Sequence, residues 1–139
     1  MGDHMTKILV LSHGNLAQEL CNACFMIAGE QEFITSICLN EEGLESFETK
    51  LTSYFLENKE EPLIILCDLL HGTPYNQVLI KALDLDRLNY QLVSGVNLPM
   101  LLALCMALPQ EADSFKCLEQ AVAEAHKGIS INHSIETSC

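Results

Sequence analysis

The stretch Ile8-Leu9-Val10-Leu11-Ser12-His13-Gly14-Asn15 decides the fold, because four consecutive apolar residues lead directly into a polar turn that opens a helix. An apolar run of this kind indicates a strand that is buried on both faces of a sheet. Open α/β sheets bind their ligands at the carboxyl ends of such strands. We therefore expect His13 to act as a nucleophile beside a helix N-terminus that can hold an anion.

Strand and helix patterns alternate along the chain, and this order predicts a parallel sheet with right-handed crossovers. The predicted strands are about Lys7 to Ser12, Phe33 to Leu39, Leu63 to Asp68 and Tyr90 to Val93. A last helix is predicted from about Asp113 to His126, and a short final strand at about Ile129 to His133. We expect a doubly wound α/β domain with four mainly parallel strands and helices on both faces.

Apolar spacing predicts which helix faces are buried. The predicted stripes are Leu16, Leu20, Cys24 and Ile27 in the first helix, Leu44, Phe47, Leu51, Tyr54 and Phe55 in the second, and Phe115, Leu118, Val122 and Ala125 in the last. Thr73 and Pro74 predict the start of another helix, with threonine as the N-cap and proline as the first helical residue. Pro99 predicts the start of the helix after the fourth strand.

Composition limits the classes of partner. The chain has 139 residues, enough for one domain, and its 19 acidic against 7 basic residues give a net charge of -12. This charge opposes non-specific binding to nucleic acid or to an anionic membrane. No apolar run is long enough to span a membrane and no signal peptide is visible, so we expect a cytoplasmic protein. Residues 1–4 resemble an expression remnant, residues 5–135 are expected to form the domain, and 136–139 a tail.

The seven cysteines fall mostly within apolar segments, which predicts small buried hydrophobic residues in a reducing compartment. Cys21 and Cys24 do form a C-x-x-C motif, for which redox or metal chemistry is the alternative. The motif lies inside a predicted helix without a second pair at zinc spacing, so packing is the favoured interpretation. No metal or cofactor is expected.

Three turns follow strands at one sheet edge and together describe a small anion site. They are Ser12-His13-Gly14, the segment from Asp68 to Pro74, and the segment from Ser94 to Pro99. Asp68 is expected to bind one ring nitrogen of His13 and leave the other free to attack phosphorus. Thr73, with backbone amides after Gly14 and in the helix that Thr73 opens, is expected to bind phosphoryl oxygens. Gly14, Gly72 and Gly95 are expected to let the backbone approach closely.

These three motifs resemble the IIA component of mannose-family sugar phosphotransferase systems. The likeness rests on Ser-His-Gly after the first strand, Asp-x-x-x-Gly-Thr-Pro-x-Asn after the third and Gly-Val-Asn-Leu-Pro-Met-Leu after the fourth, and covers about Lys7 to His133. It implies a single type-4 EIIA domain that accepts phosphate from the phosphocarrier protein HPr on His13. The domain would pass the phosphate to the IIB component, with membrane IIC and IID components acting downstream.

The resemblance also implies a role for particular residues. Asp68 matches the aspartate that orients the histidine, and Thr73 matches a hydroxyl residue of the phosphate site, beside Gly14 and Gly72. The family is typically a homodimer in which a C-terminal strand adds to the partner's sheet. His71 stands where the family commonly has a second glycine, so His71, with Asn97 and Pro99, is a candidate for partner contact or for tuning the site.

Two alternatives of other classes remain open. The same domain resembles phosphorylation-read modules of some transcriptional activators and the phosphotransferase subunit of dihydroxyacetone kinases. A flavodoxin-like domain that holds a free nucleotide or flavin phosphate is disfavoured, because the chain has no G-x-G-x-x-G, no P-loop and no tryptophan to stack on a base.

Overall fold

The computed structural model describes residues 5–134, so the expected remnant at 1–4 and the tail at 136–139 lie outside the described residues. One sheet contains β1 (Lys7–His13), β2 (Ile34–Leu39), β3 (Leu63–Cys67) and β4 (Tyr90–Ser94). The strands are parallel and lie in the order β2-β1-β3-β4. The predicted parallel sheet is confirmed, with the two most apolar strands at its centre.

Helices cover both faces of this sheet. They are α1 (Leu16–Ala28), α2 (Leu44–Glu57), α3 (Thr73–Asp84), α4 (Leu98–Ala107) and α5 (Ser114–Lys127). One core joins the sheet to α1, α4 and α5, and the other joins it to α2 and α3. The doubly wound arrangement is therefore as expected. No helix among residues 5–134 is long and apolar enough to cross a membrane.

The central strands are apolar because both of their faces are buried. Successive side chains of β1 alternate between the two cores, with Ile8 and Val10 on one side and Leu9 and Leu11 on the other. All four are fully buried, and burial of each such side chain contributes roughly 1.5 to 3 kcal/mol. This double burial carries β1 straight through the core and exposes its last residue, His13, at the carboxyl edge.

Three of the predicted helix stripes are partly wrong. In α1 the fully buried face is Ala17, Cys21 and Cys24, whereas Leu16 is 46% and Ile27 is 60% exposed. Small side chains on the inner face let this helix lie close to the sheet and to α4. Leu20 and Phe25 are half-buried against the same core, and Leu16 and Ile27 are left outside. Phe115 of α5 is likewise 53% exposed. The stripe predicted for α2 is confirmed except at its first residue, Leu44, which is exposed.

The packing role of the cysteines is confirmed where the structure describes them. Five are buried and one, Cys38, is half-buried; the buried ones are Cys21, Cys24, Cys67, Cys105 and Cys117. Burial raises the pKa of the Cys24 and Cys67 thiols to about 12, which disfavours the reactive thiolate. Cys139 lies outside the described residues.

The expected short strand at Ile129 to His133 is not formed in the single chain. Residues 129–134 make no strand pairing, and Ile129 and Ile131 are 76% and 83% exposed. A strand needs a neighbouring edge to pair with, and within the described residues this segment has none beside it. The irregular segment begins where α5 ends, with Gly128 so close to Pro99 that an added Cβ would lie 2.7 Å from Cγ of the proline.

Arg87 binds the loops at the amino-terminal edge of the sheet, and the sequence did not predict this role. Its side chain is only 7% exposed and donates hydrogen bonds to the carbonyl oxygens of Asn58, Lys59, Glu61 and Asn89. These oxygens belong to the loops that precede β3 and β4. The loops at the amino-terminal edge are therefore joined by one buried cation, far from His13.

Candidate active site

A buried serine fixes the turn that carries His13. Ser12 is fully buried, and its Oγ accepts a hydrogen bond from the backbone N–H of Ala17 at 2.6 Å. The serine therefore caps α1 from five residues upstream, while the residue at the N-cap position, Asn15, makes no side-chain cap. Sequence reasoning gave Ser12 no role of its own; its only signal was a hydroxyl at the end of an apolar run.

His13 and Asp68 are brought together as predicted. Oδ2 of Asp68 accepts a hydrogen bond from the backbone N–H of His13 at 3.0 Å and lies 3.0 Å from Nδ1 of its ring. An ionised carboxylate can only accept, so Nδ1 carries the proton and Nε2 keeps its lone pair. The His13 side chain is 45% exposed and that of Asp68 only 13%. A half-buried carboxylate thus holds an accessible imidazole in one tautomer.

Gly72 lies directly against the His13 ring. A Cβ on this residue would lie 2.8 Å from Cε1 and 3.4 Å from Nε2 of His13, and 3.3 Å from the backbone oxygen of Leu69. Only a residue without a side chain permits this approach. Gly14 and Gly95 make no such contact, because an added Cβ would meet no atom within 4 Å at either residue; both have a positive φ, of 58° and 78°, and their close approach to a phosphoryl group stays a prediction.

Replacing Gly72 with alanine should therefore displace the His13 ring without unfolding the domain. Because the added methyl group overlaps Cε1, the ring must turn away from Asp68 or the loop must shift. We expect the rate of phosphorylation of His13 to fall by about 10-fold to 100-fold, since misplacement by about 1 Å can cost 100-fold. Gly128→Ala, which meets Pro99 rather than His13, is a matched control. A Gly72→Ala rate equal to the wild-type rate would contradict this reading.

The structure moves the N-cap of α3 by one residue. Thr73 is the first helical residue, Pro74 the second, and Gly72 is the N-cap, which has no side chain to offer. The predicted threonine cap is wrong because the close contact of Gly72 with His13 places the helix start one residue earlier. The first-turn N–H groups of α3 consequently have no side-chain cap, and the exposed Thr73 hydroxyl stands beside them.

The two helix termini differ as anion sites. At α1 the N–H of Ala17 is bonded to Ser12, and the N–H of Gly14 donates to the carbonyl oxygen of Leu39 at 2.7 Å. At α3 neither Thr73 nor Tyr75 faces a side-chain cap. Uncapped N–H groups at a helix N-terminus bind anions. The start of α3 is therefore better suited than the start of α1 to bind phosphoryl oxygens.

The three remaining candidate residues lie at different positions around the carboxyl edge of the sheet; they are Asn97, Pro99 and His71. Asn97 is used internally: its Oδ1 accepts from the N–H of Met100, and its Nδ2 donates to the carbonyl oxygen of Ala125. Pro99 lies against Gly128 at the end of α5. His71 is exposed, and its ring meets that of Tyr75 edge-on, with centroids 5.6 Å apart.

The fold and the site together define a class of protein: a doubly wound α/β domain in which a carboxylate holds an exposed histidine at the carboxyl edge of the sheet. A family model described as PTS system fructose IIA component, EIIA-man, matches residues 7–122. The chain belongs to this family. PTS components of the IIA type are phosphotransferases of the sugar phosphotransferase system.

Individual relatives agree with this assignment. The chain is 33% identical over 104 residues to the PTS system sorbose-specific EIIA component of Lacticaseibacillus casei, with 72% of each chain covered. It is 26% identical over 124 residues to the PTS system mannose-specific EIIAB component of Escherichia coli K12, covering 88% of this chain but only 38% of that protein. The chain therefore spans well under half the length of that relative.

A solved structure shares the fold over nearly the whole chain. The crystal structure of phosphotransferase system component EIIA from Streptococcus agalactiae superposes with a TM-score of 0.78, at 23% sequence identity. The match covers 91% of this chain and 97% of the other. At this identity the likeness supports the fold alone.

Proposed function

We propose that this protein is a phosphoryl carrier that accepts phosphate from phospho-HPr on Nε2 of His13 and passes it to a IIB component for sugar uptake. The observation that carries the proposal is the 3.0 Å contact between Nδ1 of His13 and Oδ2 of Asp68. This contact leaves Nε2 with a lone pair at an exposed edge. A regulatory module of the same fold would have the same contact, so onward transfer is the deciding property.

In the transfer step, the Nε2 lone pair attacks phosphorus in line with the phosphoryl–imidazole bond of the donor. The new N–P bond forms as the donor N–P bond breaks, and the electron pair of that bond returns to the donor imidazole. The His13 ring becomes cationic, and Asp68 stabilises it through the Nδ1 proton. Catalysis is then mainly positioning and charge stabilisation, because both bonds join phosphorus to an imidazole nitrogen.

The start of α3 supplies donors for the phosphoryl oxygens in this proposal. Gly72 lets the group lie close to the helix, and the Thr73 hydroxyl and the N–H groups of Thr73 and Tyr75 bind it. One helix terminus contributes roughly 0.3 to 1 kcal/mol, so the hydroxyl and several N–H groups are needed together. Gly14 serves the turn through its positive φ.

The proposal is tested by reconstituting the transfer chain. Phosphoenolpyruvate, Enzyme I and HPr should phosphorylate the protein, and the adduct should be labile to acid, as expected of phosphohistidine. Addition of the cognate IIB should then remove the label. Failure to acquire label from phospho-HPr would overturn the carrier proposal, and a stable label that no IIB accepts would favour the regulatory alternative.

We further propose the setting of this activity. The protein would be cytoplasmic, with one domain over residues 5–135, and would act on the membrane IIC and IID components only through IIB. Its net charge of -12 suits basic protein partners rather than nucleic acid.

We propose that the chain is a homodimer in which residues 129–133 of each copy pair with the β4 edge of the other. Among the described strands, β4 pairs only with β3, so its outer edge is free. A groove of about 470 Å³ beside it is lined partly by exposed leucines, including Leu83 and Leu88. The alternation of Ile129 and Ile131 suits a strand with one apolar face.

Ending the chain after Gly128 should therefore give monomers. The truncated chain loses the pairing segment but should keep both cores, since none of residues 129–134, the part of the removed segment that the structure describes, belongs to either core. Light scattering coupled to size-exclusion chromatography would measure the mass, with Ile131→Asp as a point variant and Asn132→Asp as its matched control. An unchanged mass for both the truncated chain and Ile131→Asp would refute strand exchange.

A further inference from the structure

We propose that the His71 imidazole is a second positive group of the phosphate site, which stabilises the phosphoryl group once it is on His13. The inference rests on the proposed carrier function and adds a residue to its site. It concerns the stability of the phosphorylated form rather than the attack itself, because Nε2 of His13 already provides the nucleophile.

The placement of His71 is the first argument. His71 comes immediately before Gly72, the residue whose α-carbon packs against the His13 ring near Nε2. It also precedes Thr73 and the uncapped start of α3. Its side chain is exposed, and its ring meets that of Tyr75 edge-on, with centroids 5.6 Å apart.

The backbone of His71 is the second argument. Its φ is 65°, a left-handed conformation in which glycine would be more favourable than any residue with a Cβ. The Nδ2 of Asn76 donates to the His71 carbonyl oxygen at 3.1 Å, so the conformation is held by the surrounding structure. Strained residues of this kind cluster at functional sites. The conformational cost of a Cβ at this position indicates that the imidazole has a role that glycine could not fill.

Positive charge is scarce on the turns that carry the site. None of the three turns that carry the site, 12–15, 68–74 and 94–99, contains a lysine or an arginine. Phosphorylation places about two negative charges next to the carboxylate of Asp68. Besides His13, the only side chain on these turns that can become cationic near neutral pH is His71.

Other titratable groups at this edge are acidic or neutral. Asp68 follows β3, Tyr75 lies in the first turn of α3 and Glu19 lies in the first turn of α1. Glu41 and Glu42 lie in the turn after β2, and Glu42 is paired with Lys50. These groups are the same in wild type and in His71 variants, so comparison of the two isolates the imidazole.

The equilibrium constant for phosphoryl exchange with phospho-HPr separates this role from partner docking. A docking contact changes the forward and reverse rates equally, whereas a contact with the phosphoryl group changes the equilibrium itself. His71→Asn tolerates a positive φ and His71→Gly removes the strain, and both lack the imidazole. Both variants should shift the equilibrium toward the donor by roughly two- to fivefold, as for an exposed charge pair.

His126 provides the matched control for the loss of an imidazole. His126→Asn, which removes an exposed imidazole from α5, should leave the equilibrium unchanged. Thermal unfolding of each variant would show that the fold is kept.

Each other outcome overturns the inference. An unchanged equilibrium with both rates reduced would make His71 a partner contact. A shift in His71→Gly but not in His71→Asn would assign the effect to the backbone. Since wild type and variants would all still be phosphorylated on His13 in these cases, they leave the carrier function standing. Absence of phosphorylation in the wild type is the separate result that overturns the carrier function.

Discussion

Replacing His13 with alanine should abolish phosphorylation by phospho-HPr, with no label detectable at enzyme concentrations that fully label the wild type. The variant removes the imidazole, whose Nε2 is left free because Asp68 binds Nδ1. The fold should persist, because the side chain is 45% exposed and belongs to neither core. We expect the free energy of unfolding to change by no more than about 1 kcal/mol, as for substitutions outside the core.

His126→Ala is the matched control for His13→Ala, since it removes an exposed imidazole from the last turn of α5. It should be labelled at the wild-type rate. Label should be followed by gel electrophoresis under alkaline conditions, which preserve phosphohistidine. If label persists in His13→Ala, another residue is the acceptor, and the double variant His13→Ala with His71→Ala would show whether it is the neighbouring histidine.

Replacing Asp68 with asparagine should slow phosphorylation of His13 by on the order of 10²- to 10⁴-fold, as when a carboxylate that orients a reactive histidine is exchanged for an amide. An amide can donate to Nδ1, which then becomes the lone-pair nitrogen and leaves the proton on Nε2, where attack must occur. The loss of negative charge also removes the group that stabilises the cationic ring. The shape of the side chain is nearly unchanged, so the fold should be retained.

Rapid-quench measurement of the labelling rate would check this expectation. Asp84→Asn is the matched control, because Asp84 is an exposed carboxylate at the far end of α3. Its rate should equal that of the wild type. An Asp68→Asn rate within about threefold of wild type would show that the 3.0 Å contact does not govern the tautomer during transfer.

The central part of the fold could be predicted because it depends on strong local patterns. The apolar runs of β1 and β3 leave no alternative to a doubly buried strand, and parallel pairing then puts His13 and Asp68 at one edge. Contact between these two side chains follows from this topology alone. Their roles in chemistry remain predictions.

Features that depend on packing could not be predicted in the same way. The inner face of α1 is made of small residues, and hydropathy ranks Leu16 and Ile27 above Ala17 and Cys21. The start of α3 at Thr73 depends on a contact between Gly72 and His13 that joins distant parts of the chain. A strand at residues 129–133 would need a neighbouring edge to pair with, and a single sequence does not show which edge provides it.

The hydrogen bonds of Asp68 limit the direction from which the proposed partners can reach the His13 ring. One oxygen of its carboxylate is bound to both the main chain and the ring of the same histidine, so the ring cannot swing to face a second direction without breaking that link. Only one nitrogen is presented, from only one side. In the proposed carrier, phosphoryl donor and acceptor would therefore bind at the same side of His13, one after the other. An excess of the unphosphorylated form of either partner should competitively inhibit binding of the other.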